Sequence, residues 1–89
     1  MKIEQTLSFK SKAKKLNKNQ LVDLEEAVKT ICENPMIGIK KKGDLAEVYV
    51  YKFKMNKMLQ LLAYTWDEEE DVLTLLKFGV HENFYRDLK

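Results

Sequence analysis

The chain has 89 residues, 45% hydrophobic and 34% charged, with a formal net charge of +2. That balance describes one globular domain rather than a disordered chain, small enough to bury only about 60–65% of its unfolded surface. It has no apolar run of the roughly 20 residues a membrane span needs and no apolar signal core, and its single cysteine and single histidine exclude an internal disulfide and a zinc site of those ligands.

The charge is unevenly placed. Residues 1–42 carry ten lysines against five acids, a balance of +5, and residues 43–89 carry six basic residues against nine acids, a balance of −3. Five of those nine acids are consecutive, at 67–71. A basic first half permits contact with nucleic acid without establishing it. Residues 2–7 alternate Ile3, Gln5 and Leu7 with polar positions, which suggests a first strand. From Ser8 the period changes, and Phe9, Ala13 and Leu16 fall at helical spacing among Lys10, Lys12, Lys14 and Lys15. Those lysines form either a solvated face or a phosphate-contacting one. Asn17 with Gln20 three residues later reads as a capping box, with Asn19 as the other candidate cap. Leu21, Leu24, Ala27, Val28, Ile31 and Cys32 then make one apolar stripe, in which Cys32 is core filler. Asn34-Pro35 ends this helix, because a proline turns the preceding residue away from helical geometry. Residues 36–43 read as a loop closing on Lys40, Lys41, Lys42 and Gly43.

Residues 45–64 read as a hairpin. Its first arm, from Val48 to Lys54, is rich in β-branched and aromatic residues, as strands favour. Alternation puts Tyr49, Tyr51, Phe53 and Met55 on one face, expected to be buried, and Val48, Val50, Lys52 and Lys54 on the other. Lys52 and Lys54 are then about 7 Å apart, two strand steps of roughly 3.3 Å. Such a pair suits an extended polyanion; the alternative is a solvated strand end. The turn falls at Asn56-Lys57. The second arm, 58–66, is nearly continuous in apolar residues, as in a central strand buried on both faces. Residues 67–70 make an acidic turn whose crowded carboxylates keep it solvated. In the last strand, 72–78, strict alternation groups Leu73, Leu75 and Lys77 on one face and Val72, Thr74, Leu76 and Phe78 on the other. Gly79 breaks it, and residues 81–88 form a polar, aromatic tail of one or two helical turns. The order strand, helix, helix, three strands predicts an α+β domain spanning 1–89. Its two helices would pack on a largely antiparallel four-stranded sheet.

This order, together with Tyr51-Lys52-Phe53-Lys54, Leu61-Leu62-Ala63-Tyr64 and Gly79-Val80-His81, resembles the RelE/ParE superfamily of toxins from bacterial type II toxin–antitoxin operons. The resemblance covers essentially the whole chain and rests on the order and spacing of short motifs. RelE-type members carry Tyr-Lys-Ile-Lys on the first hairpin strand, which Tyr51 to Lys54 matches; those lysines contact and polarise messenger RNA in the ribosomal A site. YafQ-like members carry a Gly-x-His-x-x-Leu-Phe pattern, whose places are taken here by Gly79, His81, Phe84 and Tyr85. RelE-type members also place an arginine on the second hairpin strand where this chain has Leu61, which leaves that phosphate contact to Lys57 or Arg86. The resemblance implies a cytoplasmic, metal-independent endoribonuclease with no cofactor that cleaves messenger RNA on the ribosome. It also implies a cognate antitoxin as partner, contact with operator DNA only through the toxin–antitoxin complex, and no membrane association. ParE-type members share the fold but poison DNA gyrase, and a non-toxic antitoxin-binding module is the third reading.

The implied chemistry can be set against the residues. Strand cleavage needs a base for the ribose 2′-hydroxyl, cations to offset charge on the phosphorane, and an acid for the leaving 5′-oxygen. His81 titrates near neutrality and serves as a proton carrier, while Lys52 and Lys54 supply electrostatic stabilisation. Tyr85, Phe84 and Tyr51 are the candidates to stack on a splayed base. The basic residues Lys10, Lys12, Lys14, Lys15 and Lys18 are compatible with an acidic antitoxin segment.

Overall fold

The computed structural model describes residues 1–41 and 48–80. Its elements run β1 (Lys2–Gln5), α1 (Leu7–Ala13), α2 (Lys18–Glu33), β2 (Ile39–Lys40), β3 (Val48–Met55), β4 (Met58–Asp67) and β5 (Val72–Gly79). The strands form one sheet in the order β1-β5-β4-β3-β2. β1 is parallel to β5 and the other pairs are antiparallel. The expected α+β architecture is present with five strands rather than four. The addition is β2, which lies in the segment read as a loop and pairs Ile39 with Val50 and Lys40 with Tyr49. A strand of two residues carries no period, so alternation could not have revealed it.

Both helices start on side-chain caps, which satisfy amide groups that have no partner within the helix. The Thr6 hydroxyl accepts the Phe9 N–H at 3.1 Å and donates to the Leu76 carbonyl at 2.6 Å. α2 carries the expected box: Asn17 Oδ1 accepts the Gln20 N–H at 2.9 Å, and Gln20 Oε1 accepts the Asn17 N–H at 3.0 Å. The cap on α1 also serves the sheet. β1 stops opposite Leu75, and beyond it Thr6 and Lys12 take over the edge of β5. The Thr6 N–H donates to the Leu75 carbonyl at 3.1 Å, and Lys12 Nζ donates to the Phe78 carbonyl at 2.7 Å. An edge covered in this way no longer offers a free ladder of carbonyls.

The helices lie on one face of the sheet. Phe9 from α1 and Leu24, Ala27 and Ile31 from α2 meet Tyr49, Phe53, Met55, Leu62, Tyr64, Leu73, Leu75 and Phe78 in the main core. On the opposite face Val50, Leu61 and Ala63 form a smaller cluster, with Val48 and Leu76 packed against it. β4 is thus buried on both faces from Gln60 to Tyr64, as expected of a central strand, although its first residues, Met58 and Leu59, are exposed.

Strict alternation fails in β5. Tyr64 pairs with Leu75 but Ala63 pairs with Lys77, so one residue of β5 is extra. This β-bulge resets the parity of the strand. Phe78, expected beside Val72, Thr74 and Leu76, instead joins Leu73 and Leu75 under the helices. There its ring meets Phe9 edge-on, with centroids 5.2 Å apart. Leu76 stays on the other face. Lys77, expected with Leu73 and Leu75, moves there too.

Two features fix the frame of the hairpin. Met55 pairs with Met58, leaving a two-residue turn with φ of 50° at Asn56 and 68° at Lys57. Positive φ at both positions matches the twist of the strands, but at the second position glycine is the residue without strain. The turn is tied to α2 by the Asn56 N–H, which donates to Asp23 Oδ2 at 2.9 Å. The second feature is Tyr64, fully buried on β4 and stacked on Tyr49 with centroids 5.4 Å apart. Its hydroxyl donates to the Pro35 carbonyl at 2.7 Å and accepts the Gly38 N–H at 3.0 Å. Gly38 is glycine because a Cβ there would sit 2.8 Å from that hydroxyl and 3.1 Å from the Val50 carbonyl. Burial pushes the Tyr64 phenol above its ordinary pKa, and the Gly38 amide opposes that shift.

Replacing Tyr64 by Phe strands the Pro35 carbonyl and the Gly38 N–H, and is expected to cost about 1–3 kcal/mol in chemical denaturation. Since the folded phenol has the raised pKa, its contribution is complete below pH of about 10 and is lost as pH rises through the folded value. The Tyr64→Phe protein should therefore lose less stability than the wild type at alkaline pH. Lys57→Gly removes left-handed strain and is expected to raise thermal stability by up to about 1 kcal/mol.

Candidate functional site

The face of the sheet away from the helices carries the candidate site. Lys52 and Lys54 are exposed there, on alternate positions of β3. The register sets Lys52 opposite Leu61 and Lys54 opposite Leu59, and side chains directly opposite each other share a face. Leu61 is fully buried, as is Ala63 two positions along β4. Two ammonium groups therefore flank an apolar floor. Leu61 is also paired with Gly79. With strands roughly 4.8 Å apart, the end of β5 lies about 10 Å from Lys52 across the sheet.

A third cation belongs to this face. Leu75 and Phe78 both enter the core under the helices, so the two residues between them, Leu76 and Lys77, share the other side. Lys77 is half-buried and paired with Ala63. Strict alternation groups it instead with Leu73 and Leu75, which lie under the helices. Nothing in Leu75-Leu76-Lys77-Phe78 marks a bulge; only the register shows it.

The expected site residues are distributed as follows. Lys52 and Lys54 are together. Tyr51 is not with them: it is half-buried on the helix side, packed against the main core, because neighbouring residues of a strand point to opposite faces. Alternation predicts that face for it, opposite Lys52 and Lys54, so a base stacked on Tyr51 would not lie over those two lysines. Lys57 is exposed in the hairpin turn. His81, Phe84, Tyr85 and Arg86 lie outside the described residues. Near the end of β5, Lys12 holds the Phe78 carbonyl with its ammonium 5.0 Å from the Phe78 ring centroid. A Cβ at Gly79 would sit 2.9 Å from Lys12 Nζ. At least this lysine of α1 is therefore built into the structure rather than spread over a solvated face.

On the helix side, β1, α1 and α2 border an apolar groove of about 490 Å³, lined by Ile3, Phe9, Leu21, Leu24, Val28 and Cys32 among others. Ile3 and Leu21 remain 45% and 39% exposed, so the stripe of α2 is not fully covered. Cys32, read as core filler, borders the groove. Burial, and then the charge of Glu33, push its thiol above the ordinary value. At the far end of the sheet, part of the acidic turn is structural. Asp71 pairs with the N-terminal ammonium at 3.1 Å, and Asp67 Oδ1 accepts the Glu70 N–H at 3.1 Å. Among the described residues no three His, Cys, Asp or Glu side chains converge as metal ligands, and no helix is long and apolar enough to cross a membrane.

The fold is similar to those of several solved toxins. Escherichia coli RelE in the intact RelBE toxin–antitoxin complex matches with a TM-score of 0.71 at 19% identity, over 89% of this chain and 94% of that one. The YoeB/ParE toxin of Agrobacterium tumefaciens matches with a TM-score of 0.72 at 16% identity, over 91% of this chain and 99% of that one. A chain of the Mycobacterium tuberculosis RelBE2 complex matches with a TM-score of 0.68 at 20% identity, over 90% and 96%. No curated protein matches the chain in sequence. The model of the ParE-like toxin family, described as toxins of type II bacterial toxin–antitoxin systems, matches residues 3–89. With that match over nearly its whole length, and with this fold, the chain belongs to the ParE-like toxin family of type II bacterial toxin–antitoxin systems.

Proposed function

We propose that this toxin is a ribosome-dependent endonuclease of messenger RNA, working in the cytoplasm and silenced by a cognate antitoxin. The observation that carries the reading is the pair Lys52 and Lys54, both exposed on the face away from the helices beside the buried Leu61. Two fixed cations on a rigid sheet can offset the charge that develops on a phosphorane, and a charge aimed by a strand needs no reorganisation when the reaction occurs. Next to an apolar floor their field is less screened than in open water. His81 is proposed as the proton carrier, with Tyr85 assisting and Phe84 stacking on a base. Arg86 and Lys57 are proposed as further RNA contacts. A second reading, inhibition of DNA gyrase, is favoured by one observation. Leu61, fully buried opposite Lys52, stands where RelE-type nucleases carry an arginine.

A protein partner is supported by the relatives. E. coli RelE, a chain of M. tuberculosis RelBE2 and Pyrococcus horikoshii RelE occur in toxin–antitoxin complexes. In this chain the apolar groove between β1, α1 and α2 is the surface we assign to the antitoxin, because Ile3 and Leu21 are left partly uncovered there.

Induced expression in a bacterial cell, followed by mapping of messenger-RNA 5′ ends, tests the function. In-frame cuts within translated messages are expected, lost in His81→Ala and strongly reduced in Lys52→Ala combined with Lys54→Ala. Growth arrest with intact messages would favour gyrase, and absence of arrest a non-toxic binding module. Cys32 reports on the partner. Its raised thiol pKa makes alkylation slow at neutral pH and faster as pH rises toward about 9. Bound antitoxin is expected to protect Cys32 from alkylation at that pH; equal rates with and without antitoxin would move the partner away from the groove.

A further inference from the structure

We propose that the bulge in β5 recruits Lys77 as a third phosphate-binding cation of the Lys52–Lys54 face. The inference rests on the RNA reading of that face and extends it to a residue that the family pattern and strand alternation both leave out. Bulges occur beside functional sites, where one extra residue re-aims a side chain. Without it, Lys77 would share the helix face with Leu73 and Leu75, where an ammonium group would meet the main core. With it, Leu76 continues the apolar floor and Lys77 stands at its border, paired with Ala63.

The spacing decides which anion fits. Lys52 lies in the row Lys52–Leu61–Gly79, and Lys77 is two residues before Gly79. Two strand spacings of roughly 4.8 Å and two residue steps of roughly 3.3 Å put the Cα atoms of Lys52 and Lys77 about 12 Å apart. By the same count Lys54 and Lys77 are about 16 Å apart, too far to share one phosphate group. Lys52 and Lys54, only about 7 Å apart on one strand, suit neighbouring phosphates, and Lys77 suits one further along the same backbone. The arrangement therefore fits an extended chain of phosphates met at both borders of the buried Val50–Leu61–Ala63 cluster, rather than a nucleotide or a lone phosphate ion. It also supplies a cation on the far side of Leu61. Lys77 has a further electrostatic or hydrogen-bonding contact within the chain, so its substitution has to be read with stability alongside.

The test measures equilibrium binding of full-length His81→Ala protein and its variants to ribosomes carrying a defined message and an empty A site, across a salt series. Thermal stability is measured in parallel. Lys77→Met keeps an unbranched stem without charge, and Lys77→Arg keeps the charge. Each phosphate contact in a single strand contributes about 0.7 to the slope of log affinity against log salt. Lys77→Met is expected to lower that slope by about 0.7 and to weaken binding at low salt, and Lys77→Arg to restore both. An unchanged slope in Lys77→Met while Lys52→Met lowers it would overturn the role of Lys77 and leave the RNA reading standing. Salt-independent or absent binding in the His81→Ala parent would overturn both. A loss in Lys77→Met that tracks its melting temperature and is not restored by arginine would assign Lys77 to structure.

Discussion

A strand can present only every second residue to a given face, and β5 has to bury Leu73, Leu75 and Phe78 together under α1 and α2. That parity conflict is resolved by one extra residue at Leu76. The rest of the fold depends on the resolution. Phe78 reaches Phe9 and secures α1, while Leu76 completes the apolar floor of the second face. The residue that would otherwise carry an ammonium group into the main core is turned out of it. In a chain this small, with about 35–40% of its unfolded surface left exposed even when folded, a single misplaced aromatic would remove a large share of the core.

The sheet separates two kinds of surface. On the helix side the uncovered part of the α2 stripe leaves an apolar groove, which favours a protein partner. On the other side the side chains of Lys52 and Lys54 stand beside buried leucine and alanine, which favours an anion. The two are joined through α1. Thr6 and Lys12 hold the carbonyls of Leu75, Leu76 and Phe78, so the end of β5 is positioned by the same helix that borders the groove.

The two ends of the central hairpin are fixed in different ways. At the tip, Lys57 adopts a left-handed backbone where glycine is favoured, and Asp23 of α2 holds the neighbouring amide. At the base, Tyr64 binds both ends of the 35–38 connection with one hydroxyl. A buried phenol with its donor and acceptor capacity both used is worth more than its ring alone, because removing it leaves two backbone groups without partners. It fixes where the chain re-enters the sheet as β2, which is too short to hold that position by its own ladder.

Local patterns were readable wherever a residue type and a period coincide. The Asn17–Gln20 box, the stop at Asn34-Pro35, the Asn56-Lys57 turn, the two-sided burial of β4 and the pairing of Lys52 with Lys54 on one face all follow from short-range rules. The family resemblance likewise rested on motifs contiguous in the chain, and the family match spans them. Three features needed the tertiary structure. β2 is too short to carry a period. Tyr51 was a candidate both for the core and for stacking on a base, and only the packed helices place its ring against the main core. The bulge at Leu76 is invisible because no residue there demands it. It arises from competition between Phe78 and Lys77 for the helix side, settled by the burial of an aromatic ring against a helix more than 60 residues away in the chain. Parity within a strand is a local property, but where it breaks depends on what lies across the core.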